Sequence, residues 1–99
     1  MFLEHALLTI KPGQEAAFEA AMRTAVGLIS ATQGFKSLAV RPCVEKPGIY
    51  LLLVEWESIE AHETGFRKSV RYGEWSRLLH GFYNPFPEVL HFGPAIAEC

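Results

Sequence analysis

Cysteine, net charge and long apolar runs are all scarce in this chain, and each scarcity removes a class of function. The two cysteines, Cys43 and Cys99, stand at no metal-binding or redox spacing and are expected as free thiols. Nine basic residues against eleven acidic ones leave a net charge of −2, which gives no electrostatic basis for binding nucleic acid or an anionic membrane. The one basic cluster, Arg67, Lys68 and Arg71, is flanked by Glu57, Glu60, Glu63 and Glu74, and reads as a solvated helix surface. No apolar run has the ~20 residues needed to span a bilayer. The first ten residues carry Glu4 and His5 and no basic leader, so no secretory signal is expected and a cytoplasmic protein is. A phosphate-binding glycine loop, a dinucleotide fingerprint, a nucleophile elbow and a metal motif are also missing, so neither cofactor nor metal is expected.

What the chain does have is apolar material. Its hydrophobic content of 49% is at the upper end for a soluble domain. A single domain over residues 1–99 then has either an unusually good core or a surface hidden against another subunit. The run Gly48–Glu57, GIYLLLVEWE, shows where the problem lies. Pro47-Gly48 before it, Ser58 after it and its β-branched and aromatic content predict a strand rather than a helix. Alternation sends Ile49, Leu51 and Leu53 to one side and Tyr50, Leu52, Val54 and Trp56 to the other. Both faces are apolar, so both need a cover.

The rest of the chain supplies one cover. Phe2–Ile10 predicts a first strand, with Glu4, Ala6, Leu8 and Ile10 on one face and Leu3, His5, Leu7 and Thr9 on the other. After the break at Lys11-Pro12-Gly13, a helix is predicted from Gln14 to Ala31, with Phe18, Met22, Ala25 and Ile29 as its apolar stripe and Gly34 as its cap. Phe35–Arg41 predicts the second strand. Ser58 and Ser69 are predicted N-caps of two short helical segments, the first presenting Ile59, His62 and Phe66, the second Tyr72, Trp75 and Leu79. Glu88–Gly93 predicts the last strand. The order β-α-β-β-α-β, with its second helical region split, is the ferredoxin-like α+β arrangement with one four-stranded antiparallel sheet. Right-handed crossovers put the first and third strands in the middle. A second copy of the sheet is the simplest cover for the remaining face, which predicts a homodimer.

The residues Lys11-Pro12-Gly13-Gln14, Gly34-Phe35, Tyr50 through Trp56-Glu57-Ser58, then Phe66, Tyr72 and Trp75, together resemble the antibiotic biosynthesis monooxygenase family over nearly the whole chain. The resemblance implies a dimeric α+β barrel with a pocket between sheet and helices in each subunit. It also implies relatives among cofactor-independent oxygenases, quinol oxygenases and haem-degrading enzymes. The haem branch is disfavoured, because Ser76 stands near the position of its histidine ligand, Ala6 near its asparagine and Phe66 in place of its tryptophan.

Histidine among aromatics is the remaining chemistry. His62, on the face shared with Ile59 and Phe66, is the candidate general base or acid. His5 and His91 belong to the first and last strands, predicted neighbours. On the helix face they would converge with His62 on the pocket, and the three could then also hold a metal; on the other face they would meet a partner. Trp56, Phe66, Tyr72, Trp75 and Leu79 complete the expected lining for a flat aromatic ligand. Together with the family resemblance, which implies oxygenation, the function expected is cofactor-independent oxidation of a quinol or phenolic polycycle by O2. The alternative is a non-catalytic ligand-binding or stress-associated dimer, which would use the same pocket to sequester a hydrophobic small molecule.

Overall fold

The computed structural model describes residues 1–99. The central run forms strand β3 (Ile49–Trp56), and Tyr50, Leu52, Val54 and Trp56 are its buried face. On either side lie β1 (Phe2–Thr9) and β2 (Phe35–Pro42), both antiparallel to it. The short β4 (Leu90–Phe92) pairs with β1, giving the sheet order β2-β3-β1-β4 that right-handed crossovers predict. A bulge between Phe35 and Ser37 shifts the register at the start of β2.

Helix α1 (Glu15–Ser30) buries Phe18, Met22, Ala25 and Ile29, the stripe read from the sequence. They meet Ala6, Leu8 and Ile10 of the first strand segment and the buried face of β3 in one core. Each such large side chain removed from water contributes about 1.5–3 kcal/mol. All of this burial is on one face of the sheet. On the other face Leu7 is 54% exposed, Phe92 47% and Leu90 45%, so the single chain leaves that side uncovered.

The second helical region is split. Ser58 Oγ accepts from Ala61 N at 3.1 Å and starts a π-wound turn, Ala61–Phe66, closed by the bond from Arg67 N to His62 O. Ser69 Oγ then donates to Phe66 O at 2.7 Å and accepts from Tyr72 N, capping α2 (Val70–Leu79). Ile59 precedes the π winding and lies at the surface, unlike His62 and Phe66, with which it was expected to share a face. The basic cluster also differs from the solvated surface expected of it. Arg71 reaches Leu28 O and Thr32 Oγ1 and so ties α2 to the end of α1.

Gly34 is not the cap of α1, where Ala31 completes the last turn with ordinary helical geometry. It sits beyond, at φ +90°, where its carbonyl accepts from Glu57 N and a Cβ would lie 2.6 Å from Cβ of Ala61. The glycine therefore seats the π-wound turn against the start of β2. Gly13, at φ +82°, has open space around it. Gly34→Ala should cost roughly 2–4 kcal/mol by urea denaturation, from left-handed backbone plus overlap. Gly13→Ala should cost about 1 kcal/mol, from the backbone alone; equal losses would contradict this packing.

Candidate active site

One charged residue interrupts the apolar helix-facing row of β1. Glu4 is 5% exposed, beside Ala6 and Leu8, and a carboxylate so placed needs partners. Trp56 Nε1 donates to Glu4 Oε1 at 2.9 Å from the end of β3. His62 Nε2 lies 3.4 Å from the same oxygen. The imidazole is itself buried and stacks on the Trp56 indole, with centroids 5.3 Å apart and planes 20° from parallel. On its other side, His62 Nδ1 lies 2.7 Å from His91 Nε2. A proton on Nε2 faces Glu4 and leaves the Nδ1 lone pair to accept from His91, whereas a proton on Nδ1 reverses that direction. The result is a polar row, Trp56–Glu4–His62–His91, threaded through an aromatic wall.

Burial dominates the proton affinities in this row. It raises Glu4 above the usual carboxylate range, with the Trp56 hydrogen bond and the Arg67 charge acting in the opposite direction. It pulls His62 down to about 3, helped by the positive charge of Arg67 and by His91. Both directions favour the uncharged forms: the His62 ring stays neutral across the physiological range, and the Glu4 carboxyl holds its proton more tightly than an exposed one.

Glu4 and His62 line a cavity of about 50 Å³ between sheet and helices. Phe66, Tyr72 and Trp75 are among its other walls, together with His80, Tyr83, Phe86 and Arg67. Arg67 Nε is buried with no hydrogen-bond partner, and Arg67 Nη1 lies 3.7 Å from Glu63. Burial lowers His80 and raises Tyr83, which keeps both neutral beside the pocket. A larger hollow of about 300 Å³ runs between α1 and β2, but of its polar groups Glu19 is already bonded to the Tyr50 hydroxyl and Arg23.

The residues expected at the site thus divide. His62, Phe66, Tyr72 and Trp75 line the cavity. His91 reaches His62 without lining it, because Glu4 pairs with His91 across the β1–β4 register and the two share the helix face. His5 pairs with Leu90 and faces the other way, packing edge-on against Phe92 on the opposite face of the sheet. It contributes nothing to the cavity. Trp56 and Leu79 are fully buried behind the walls, not part of them. Sequence reading passed over Glu4 and Arg67. The signal for Glu4 was present as the single ionisable side chain in an otherwise apolar strand face.

The sequence profile of antibiotic biosynthesis monooxygenases matches residues 1–77. The chain belongs to that family. An uncharacterised Bacillus subtilis protein, YczJ, is 50% identical over 92 residues, covering 93% of this chain and 97% of its own. A family structure from Bordetella bronchiseptica is 32% identical and superposes with a TM-score of 0.90, over 96% of this chain and 97% of that one. SnoaB of Streptomyces nogalater, a cofactor-independent oxygenase, shares the fold at a TM-score of 0.84 over 97% of this chain and 94% of its own, with 14% identity. The α+β fold with a four-stranded antiparallel sheet is that of the family. No helix is long and apolar enough to cross a membrane.

Proposed function

We propose that this family member is a monooxygenase that takes a small hydroxylated aromatic, a quinol or phenolic polycycle, to a quinone with O2 and without a cofactor. The observation that carries the reading is the Glu4–His62 pair set into the wall of an aromatic-lined cavity. Membership of the family supports oxygenation, and the fold shared with SnoaB supports a route that needs no bound cofactor. An ionisable pair facing the cavity favours catalysis over passive sequestration, for which apolar walls suffice.

In this reading the substrate hydroxyl gives its proton to the pair. Glu4 in its carboxylate form receives the proton, with Trp56 fixing one oxygen and the Nε2 edge of His62 facing it. The anion spreads its charge into the ring, where the Arg67 guanidinium offsets it. It passes one electron to O2, and the two radicals combine at a ring carbon. Loss of water leaves the quinone. One oxygen atom enters the ring, and the other departs as water with the two hydrogens that the substrate gives up. Phe66, Tyr72 and Trp75 hold the ring in register for this exchange.

Cavities that accept benzene run to about 150 Å³, so the 50 Å³ here admits a ring only after its walls part. Phe86 and Pro87 are the natural wall to move, since they belong to the irregular segment ahead of β4 and Phe86 is exposed on its outer side. The uncovered sheet face, with Leu7, Leu51, Leu53, Leu90 and Phe92, is assigned to a second copy of the chain, and His5 then lies at that interface.

Metal-free protein with a panel of quinols should consume O2, and Glu4→Gln and His62→Ala should each lower kcat/KM by about 10²-fold or more. No uptake with any quinol, or full activity in both variants, would refute the enzyme reading. Leu51→Glu should convert a dimer to a monomer by sedimentation, because it sets a charge into the centre of the apolar face; a monomeric parent would refute the pairing.

A further inference from the structure

The outer end of the polar row has a second feature. Glu63, from the same π-wound turn as His62, points Oε1 at both imidazoles while its Oε2 lies 3.7 Å from Arg67. The three potential donor atoms are His62 Nδ1, His91 Nε2 and Glu63 Oε1. They are separated by 2.7, 4.0 and 3.9 Å, respectively between the two nitrogens, from His62 to Glu63 and from His91 to Glu63. Those separations fix a triangle whose centre lies about 2.1 Å from every corner, which is the bond length of a first-row divalent ion to imidazole nitrogen and carboxylate oxygen.

We propose that His62, His91 and Glu63 form a binding site for one divalent transition-metal ion per chain. Three further observations agree with it. His62 turns its other nitrogen toward the buried carboxylate of Glu4, the arrangement that fixes the tautomer and strengthens imidazole as a ligand. Two imidazoles and one carboxylate match the preferences of Zn²⁺ and its first-row neighbours rather than Mg²⁺ or Ca²⁺. Glu63 is about half exposed and His91 is partly so, which gives an ion a path from solvent. Binding replaces the direct contact between the imidazoles and staples the π-wound turn to the edge strand β4. Three protein donors leave a coordination position for water. The site goes beyond the oxidation proposed above, whose proton passes at Glu4 on the opposite side of His62.

The test is calorimetric titration of tag-free, chelator-treated protein with Zn²⁺, supported by the absorption spectrum of the Co²⁺-loaded form. One ion per chain is expected, with visible Co²⁺ bands of a nitrogen and oxygen donor set. His91→Ala and Glu63→Gln should each weaken binding at least 10-fold, and Glu4→Gln by about 10-fold through His62. His5→Ala, on the far face, should bind like the parent. Far-UV circular dichroism confirms folding, and Glu63→Gln, at the surface, keeps the test open if another variant fails to fold. No binding, or binding unchanged in both His91→Ala and Glu63→Gln, overturns the site. Oxygen uptake by the metal-free protein is a separate result, so this proposal and the oxidation reading fail independently.

Discussion

A carboxylate buried in an apolar sheet face is the constraint around which the rest is arranged. Glu4 sits where the fold would otherwise place an aliphatic side chain, and burying such a group without partners costs several kcal/mol. The indole N–H of Trp56 and the imidazole of His62 offset that cost from two different elements. Both partners must then be held. Trp56 is held by β3, the best-buried strand, and His62 by the π-wound turn seated on Gly34. A π-wound turn is a rare element that recurs at functional sites, and here it sets His62 and Phe66 inward and Glu63 beside them. Stability and the proposed chemistry therefore draw on the same few contacts.

Much of the fold was legible from periodicity. The i, i+4, i+7, i+11 stripe of α1 and the doubly apolar β3 depend only on local geometry, which is fixed by the chain itself. Strand order followed from connection handedness. Both serine caps were readable because a hydroxyl before a helical pattern has one common use.

The site was less legible, because it depends on register and winding rather than on pattern. His5 and His91 have no fixed relation until β4 is aligned on β1, and a shift of one residue exchanges their faces. The observed register joins His91 to Glu4 and sends His5 outward. Glu4 was placed on one strand face with Ala6, Leu8 and Ile10, but its partners Trp56 and His62 come from elements distant in sequence. Arg67 looked like part of a solvated basic patch because sequence does not reveal that a π-wound turn carries its Nε inward.

In the proposed function, membership of the family supports oxygenation and the Glu4–His62 pair supports proton transfer, and these two lines of support are independent. The most direct measurement of the account is the protonation state and tautomer of His62, read from ¹⁵N–¹H correlation spectra of metal-free protein between pH 5 and 8. The account predicts a neutral ring throughout, its pKa held near 3 by burial, with the proton on Nε2 toward Glu4. A ring that becomes charged near pH 6.5, as an unburied histidine does, or one that carries its proton on Nδ1, would contradict it.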